Sequence, residues 1–478
     1  MRSSQILLLC SAVFLMGFGS FALAEERPNI LFCLADDWGW PHAGAYGDPV
    51  VQTPNFDRLA KEGVLFENAF VSSPSCTPSR NALLTGRHFY QLGEGANLWS
   101  VLDANEPNFM FLLRAAGYAI GHHQKAWGPG NFRAGGYTEH PCGPEMEFSK
   151  FIEKRDGTAP FCFWLGTSDP HRGYKKGSGR KSGMDLSKIP VPKFFPDTEE
   201  IRSDIADYYF EVQRWDRKVG EAIKLLEASG QLENTIIVMT GDHGMPFPRC
   251  KGNLYDSGTR VPLAIRWGKE VSGGRVIKDC VSFIDLAPTF LASAEVAIPK
   301  VMTGESFLGS LKGNKAGWIE PERRSIVYGR ERHTPSQASP SIEGYPSRAL
   351  RQSDWLLIMN LKPDRWPAGV PEGASHPMDH FSDCDNSPSK SEIIALKDDP
   401  EGDQFYQWCF AKRPEFELYH TAIDPDQIQN LAGETQHQER LNQMVEELKD
   451  YLVRTGDPRL SKGPTPFDKT PYRGPTRR

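Results

Sequence analysis

The chain has no CxxC pair among its nine cysteines and no internal repeat. Beyond its first two dozen residues it has no stretch approaching the ~18 apolar residues that a bilayer crossing needs. The first absence argues against a zinc ribbon or a thioredoxin-type centre, the second against a repeat architecture, and the third against an internal transmembrane helix. An excess of one charge is also missing: 55 Lys and Arg face 61 Asp and Glu, a formal net charge of −6. Bulk charge therefore offers nothing to nucleic acid or to an anionic membrane, and any anionic ligand must be held by a local cluster.

What is present is a long chain with a sizeable apolar fraction. The 478 residues, 39% hydrophobic, suffice for one large domain with an appendage or for two domains. The 37 prolines and 44 glycines predict long ordered loops over a scaffold. At the N-terminus, Arg2, an apolar run from Ile6 to about Phe21 and Ala22-Leu23-Ala24 predict a signal peptide over 1–24. The alternative, a membrane anchor, fits less well with a run this short that ends in small residues. The expected mature chain is exported (periplasmic, extracellular or in a lysosome-like compartment) without stable membrane insertion. Export permits disulfides, but the spacing of Cys33, Cys76, Cys142, Cys162, Cys250, Cys280, Cys384 and Cys409 fixes no pairing. Cys33 and Cys162 lie inside apolar runs and read as core.

Four segments share one pattern. "PNILFCLADDWGW", "GYAIGHHQKAWGPG", "FCFWLGTSDPHRGY" and "NTIIVMTGDHGMPF" each run from a nearly continuous apolar stretch into polar residues. Runs apolar throughout fit strands covered on both faces, as in a parallel sheet. Helical patterns intervene: "TPNFDRLAKEG" closes at Gly63, and from Ser203 to Ser229 Ile205, Tyr209, Val212, Trp215, Val219, Ile223 and Leu226 recur at helical spacing. Strands alternating with helices predict an α/β sheet, with ligands beyond the carboxyl ends of its strands. There the four segments deliver Asp36 and Asp37; His122, His123 and Lys125; Asp169 and His171; and Asp242 and His243. Asp36-Asp37 or Asp242-His243 alone could equally be a solvated turn. Together, three carboxylates would repel unless a cation sat among them. Oxygen donors favour Ca²⁺ or Mg²⁺, with His243 completing the shell, although neither an EF-hand nor an HExxH spacing is present.

"SPSCTPSRNALLTGR" adds a cysteine to this set. Ser75 or Thr77 is a candidate N-cap, Pro78 lies near the first helical position, and "SRNALLTG" reads as helix, so Cys76 stands at an anion-attracting N-terminus. A thiol tuned low by the helix is one reading. A thiolate beside three carboxylates and a hard cation makes poor electrostatic sense, and an oxygen nucleophile suits the setting better.

"CTPSRNALLTG" resembles the type I sulfatase signature C-x-P-S-R-x-x-L-x-T-G. The resemblance extends over "RPNILFCLADD", "GDHG" and "ELYHTAIDPDQIQNLA", and several stretches, among them "SDPHRGY" and "PFPRCKGNLYDSGTRVPL", are similar to the heparan N-sulfatase branch. The resemblance implies an alkaline-phosphatase-like α/β sandwich with a mostly parallel central sheet covered by helices, plus a smaller C-terminal α+β domain with an antiparallel sheet. It implies that Cys76 is converted to Cα-formylglycine by a maturation enzyme before folding and acts as nucleophile. It further implies that Asp36, Asp37, Asp242 and His243, with modified Cys76, ligate one Ca²⁺; that Arg80 holds the nucleophile; and that Lys125, His171 and Lys251 grip sulfate and assist the leaving group. One departure stands out: the family's histidine after the lysine is replaced, with Trp127 and Gly128 in "QKAWGPG". His122 or His123 is a candidate substitute; the alternative is a pair of solvated imidazoles.

The expected organisation is a catalytic domain over 25–325, a C-terminal subdomain over 340–465 and a loosely attached tail over 466–478. The stretch joining the two domains, "GNKAGWIEPERRSIVYGRERHTPSQASPSIEGYPSR", has loop character. Lys175, Lys176, Arg180 and Lys181 form either a rim attracting an anionic saccharide or a solvated basic loop. Arg330, Arg332, His333 and Arg348 serve either substrate or interdomain ion pairs. The leading expectation is hydrolysis of an O-sulfate ester or N-sulfate on a sulfated saccharide. The alternatives are a formylglycine-dependent phosphonate monoester or phosphodiester hydrolase and an inactive anionic-glycan-binding homologue.

Overall fold

A computed structural model describes residues 27–373, 380–460 and 465–475, so the segment 1–24 lies outside the described residues. The first unit holds β1 (Asn29–Ala35), β2 (Val64–Phe70), β3 (Ala119–His123), β4 (Phe161–Gly166), β5 (Thr235–Gly241), β6 (Leu263–Trp267) and β7 (Arg275–Ser282). They form one sheet in the order β3-β4-β1-β5-β6-β2-β7. β3, β4, β1 and β5 pair in parallel, β6 runs antiparallel to both its neighbours, and β2 pairs with β7 in parallel.

The alternation of side chains along a strand explains the unbroken apolar runs. In β1, Leu31, Cys33 and Ala35 face one core with Phe161, Phe163, Ile237 and Met239. Ile30, Phe32 and Leu34 face the other with Cys162, Trp164, Ile236 and Val238. The first core is covered chiefly by the helix Glu199–Ala228, which starts at Thr198, whose hydroxyl accepts from the Ile201 amide, and buries Ile205, Tyr209, Val212, Trp215, Val219, Ile223 and Leu226. Each fully buried side chain of this size contributes roughly 1.5–3 kcal/mol. Trp215 is 0% exposed, and its truncation to alanine would cost about 3–5 kcal/mol. The helix Pro54–Glu62 ends at Gly63, as its sequence predicts. The second core is covered by the helices Cys76–Thr85, Phe109–Ala115 and Leu286–Ser293.

The second unit is a four-stranded antiparallel sheet of β8 (Ser325–Arg330), β9 (Ser347–Gln352), β10 (Trp355–Asn360) and β11 (Phe416–His420), in the order β11-β10-β9-β8. Val327, Leu350, Leu357, Met359 and Leu418 pack against Leu441, Met444, Leu448 and Leu452 of the helix Gln438–Arg454. Ile326, Tyr328, Ala349, Leu356, Ile358 and Tyr419 pack against Phe70, Leu254, Tyr255 and Cys280 of the first unit. A cavity of about 700 Å³ lies where this helix meets the first unit, lined by His88, Asp285, Arg323, Glu447 and Tyr451 among others.

Two expectations about this region need correction. The joining stretch is not all loop: Ile326, Val327 and Tyr328 alternate between the two faces of the sheet, and β8 is its edge strand. The tail is not loose as far as Gly474. Phe467 is 1% exposed, its carbonyl accepts from Asn97 at 3.1 Å, and the Arg473 amide donates to Trp99 at 3.0 Å. Burial of an aromatic ring with satisfied backbone groups fixes the segment despite its polar composition. All eight cysteines among the described residues are free and buried, and no helix among these residues is long and apolar enough to cross a membrane.

Candidate active site

The carboxyl ends of β1, β3, β4 and β5 converge on the N-terminus of the helix Cys76–Thr85. Gly166, ending β4, permits this: a Cβ there would meet the Lys125 carbonyl oxygen at 1.9 Å. Asp37 adopts φ 71°, a left-handed conformation uncommon outside glycine and tolerated by Asp. Its amide donates to Asp242 Oδ1 at 2.8 Å, tying the ends of β1 and β5 together.

Cys76 is the first residue of its helix and 3% exposed. Ser75 occupies the N-cap position, but its side chain does not cap; its hydroxyl is instead 2.8 Å from His333 Nδ1. Cys76 Sγ lies 3.3 Å from His243 Nε2, 3.4 Å from Lys125 Nζ and 3.6 Å from Asp36 Oδ1. Burial pushes the thiol well above its ordinary pKa, with Lys125 pulling down and Asp36 and Asp242 adding to the rise. A buried thiol of this kind does not ionise readily, which disfavours the reading of a helix-activated thiolate.

Arg80, 0% exposed, sits beneath the cluster. Its Nε donates to Asp242 Oδ2 at 2.8 Å, its Nη1 to the carbonyls of Lys125 and Ala126 at 3.0 and 2.6 Å, and its Nη2 to Asp36 Oδ1 at 3.4 Å. Lys125 Nζ reaches both Asp36 oxygens at 2.6 Å. Burial would push Lys125 down, but Asp36 outweighs it and keeps the ammonium charged. Burial would likewise push Asp242 up, and His243, Arg80 and Lys125 hold it below the usual carboxylate range. Lys251 Nζ lies 2.8 Å from Asp37 Oδ2 and 3.1 Å from Asp385 Oδ2, and these carboxylates overcome burial to raise its pKa. His171 Nε2 is 3.9 Å from Asp37 Oδ2, while its Nδ1 is 2.5 Å from the Arg172 carbonyl. A proton on Nδ1 then leaves Nε2 facing the cluster.

The donor set could hold a cation. Ligand atoms of Asp36, Asp37, Cys76 and His243 all lie within 4.8 Å of one another, and all four residues are buried. Asp37 Oδ1 is buried without a hydrogen-bond partner, a costly state that a cation would relieve. His243 Nδ1 faces the Gly244 carbonyl at 3.1 Å, which directs Nε2 towards Asp37 Oδ1, 3.2 Å away. Such an orientation is common in imidazoles that bind metals.

The cluster thus gathers Asp36, Asp37, Cys76, Arg80, Lys125, His171, Asp242, His243 and Lys251. Other candidates lie elsewhere. Asp169 turns to Arg214 and Lys218 on the helix Glu199–Ala228, because that helix offers it two cations. His122 is buried, stacked on His140 with centroids 3.9 Å apart, and its Nδ1 is 3.0 Å from the Gly143 carbonyl. It is therefore neither solvated nor turned to the thiol. His123 ends β3 within electrostatic range of Glu147. Trp127 donates its indole N–H to Asn81 Oδ1 at 2.6 Å and packs into the second core. Lys175 and Lys181 are exposed, and Lys176 and Arg180 pair with Glu200 and Glu199, so this basic loop lies at the surface. At the junction, Arg330 pairs with Asp383, and Arg348 with Glu331 and Asp457; Arg332 donates to the carbonyls of Ile342 and Thr470. These arginines are structural because the junction is buried and each is turned to protein acceptors, Arg348 through all three of its nitrogens. His333 is also buried, which pushes its pKa down to about 3 against the pull of Asp383.

Sequence reasoning missed Asp385. It lies in "SDCDNSPS", a polar stretch without periodicity, and only the fold of the second unit carries it to Lys251.

A family model described as Sulfatase matches residues 28–296. Among curated proteins, the N-sulphoglucosamine sulphohydrolase of Homo sapiens is 29% identical, the alignment covering 94% of this chain and 94% of that protein. An ulvan-active sulfatase of Formosa agariphila is 26% identical, covering 90% of this chain and 76% of that protein. Among solved structures, one described as in complex with its substrate D-glucosamine-2-N,6-O-disulfate superimposes with a TM-score of 0.63 at 19% identity, covering 91% of this chain and all of that one. The fold is the alkaline-phosphatase-like sandwich of these solved structures, with its separate antiparallel sheet.

Proposed function

This chain belongs to the sulfatase family, and from that premise we propose that it removes sulfate, as an O-sulfate ester or an N-sulfate, from a sulfated saccharide. The observation that carries this reading is the convergence of one buried cysteine with two lysines, an arginine and a carboxylate–imidazole cluster at four strand ends. In the proposed site Asp36, Asp37, Asp242 and His243 hold Ca²⁺, and Cys76 is present as formylglycine. Together these groups would supply a nucleophilic oxygen and positive charge towards which a sulfuryl oxygen leans.

The chain's own residues do the rest. Arg80 fixes Asp36 and Asp242 in register with the helix that carries residue 76. Lys125 Nζ, 3.4 Å from Cys76 Sγ, is within reach of a sulfuryl oxygen at the nucleophile. Lys251 offers a second ammonium, paired with Asp37. Charge spreads over the sulfuryl oxygens in the transition state, so fixed cations of this kind contribute most of the stabilisation. With its Nδ1–H on the Arg172 carbonyl, His171 as the imidazolium would donate from Nε2 to the departing oxygen or nitrogen, which a sugar alkoxide or amine needs because it leaves poorly. The proposal includes export directed by 1–24 and a maturation enzyme as partner.

Two measurements test the reading. Mass spectrometry of the peptide carrying Cys76, from protein made with a formylglycine-generating partner, should show conversion of the thiol to an aldehyde. Sulfate release should then be measured on an aryl sulfate and on N- and O-sulfated glucosamines and galactoses, beside a phosphodiester and a phosphonate monoester. Turnover of the sulfated compounds that chelation abolishes and calcium restores supports the proposal. Preference for the phosphorus compounds, or glycan binding without turnover, overturns it.

A further inference from the structure

Beside the proposed sulfate pocket stands one carboxylate outside the Asp36, Asp37, Cys76 and His243 cluster. Asp385 comes from the second unit, on the segment between β10 and β11, and shares Lys251 Nζ with Asp37. Its carboxylate, His171 and Asp37 bring ligand atoms within 4.8 Å of one another. Asp37 already pairs with Lys251 at 2.8 Å, and Asp385 adds a second carboxylate to the same lysine. Near a bound sulfate it is repulsive. A carboxylate in this position favours binding only if the ligand brings a hydrogen-bond donor to it.

The group is built to receive one. Asp385 Oδ2 is buried and faces Lys251 Nζ at 3.1 Å. The side chain keeps 27% exposure, so part of it opens to solvent. The loop is fixed on both sides. Asp383 pairs with Arg330 at 2.7 Å and accepts from the Thr334 amide and hydroxyl, each at 2.7 Å. Lys390 Nζ donates to the Cys384 carbonyl at 2.8 Å. Asp204 then links this loop to the proton donor: it accepts from Ser389 Oγ at 2.6 Å and takes a two-pronged pair from Arg172, next to His171, at 2.8 and 2.9 Å. Asp385 is thus held in fixed relation to the group that faces the leaving atom.

We propose that Asp385 determines substrate specificity, its carboxylate accepting a hydrogen bond from a hydroxyl or N–H on the sugar carbon next to the one that bears the sulfated oxygen or nitrogen. The inference rests on the sulfatase reading above. In the proposed pose, with the sulfuryl group at residue 76 and the leaving atom at His171, the adjacent substituent would fall beside Lys251 and Asp385. An aryl sulfate has no such donor, which separates recognition from chemistry.

The experiment compares wild type, Asp385→Asn and Asp385→Ala on 4-nitrophenyl sulfate, on the preferred monosaccharide sulfate of the panel above, and on the same sugar with the adjacent donor replaced by hydrogen. One lost hydrogen bond to a charged group corresponds to a roughly 10- to 100-fold loss. In Asp385→Ala, kcat/KM for the saccharide should fall by that factor, with a smaller fall in Asp385→Asn, which keeps an acceptor. Aryl sulfate turnover should stay within about threefold, and wild type and Asp385→Ala should handle the deoxy sugar alike. An equal fall on aryl sulfate and saccharide overturns the inference, because Asp385 would then act on Lys251 or on the fold. A wild type that accepts the deoxy sugar as readily as its parent also overturns it. If the wild type hydrolyses no sulfate at all, the sulfatase reading itself fails, a result distinct from the other two.

Discussion

His88 should make the union of the two units sensitive to acid. It follows the helix that carries Cys76, stacks on Tyr90 with centroids 4.9 Å apart, and its Nε2 meets Tyr451 Oη at 2.8 Å on the C-terminal helix. Burial pushes its pKa from 6.5 down to about 3, with Asp457 opposing and Arg348 reinforcing the shift. Between those values the unfolded chain binds a proton that the folded chain does not. The contribution to stability is therefore complete above pH 6.5 and is lost progressively as pH falls towards 3. At pH 5.0 the gap from the unfolded value is about 1.5 pH units, or about 2 kcal/mol. Urea unfolding followed by circular dichroism at pH 7.5 and 5.0, with calcium present, measures this in wild type and His88→Gln. The wild type should lose about 2 kcal/mol more than the variant over this interval. His42, His140 and His333, also pushed down by burial, act with the same sign in both proteins and cancel. Asp242 and Asp385, held below the ordinary carboxylate value of 3.8, give up stability only below that pH. Identical pH dependence in wild type and variant would refute the argument.

Further outcomes follow from the site and the junction. Asp457→Ala removes one of the two carboxylates on Arg348, which is 0% exposed, and should cost about 3–5 kcal/mol in urea unfolding; Asp197→Ala, at an exposed pair with Arg202, should cost under about 1 kcal/mol. Asp37→Asn should weaken calcium binding by calorimetry and lower activity sharply, because it removes charge from a hard-cation cluster; unchanged affinity would count against that cluster. His171→Gln should slow saccharide sulfates by about 10²–10⁴-fold and activated aryl sulfates much less, so equal losses on both would argue against a proton held for the leaving atom.

Much of this was legible in the sequence for a simple reason. A strand covered on both faces must be apolar at every position, so β1, β4 and β5 stand out, and the polar residues that follow them mark the open end of the sheet. The helix Glu199–Ala228 is equally plain because only one of its faces is apolar. Arg348 and Asp457 were opaque: an arginine saturated in a buried junction and one on a substrate rim have the same letter, and only burial separates them. β8 was hidden by its polar and glycine-rich neighbours. Asp385 could not be found at all, since its role depends on where the loop after β10 crosses the first unit.

The depth at which Cys76 lies also sets a timetable. Once the sheet closes, the thiol is 3% exposed, too enclosed for another enzyme to grasp its backbone. Closure requires β5, which pairs with β1 across some two hundred residues of chain and leads directly into Asp242 and His243. Residue 76 therefore stays open from its own emergence until residue 241 follows. At a synthesis rate of about 5–20 residues per second, that interval is on the order of ten to thirty seconds. On the proposed conversion to formylglycine, the modifying catalyst would have that interval on the nascent chain in which to act, or would have to meet the protein before it folds in another compartment.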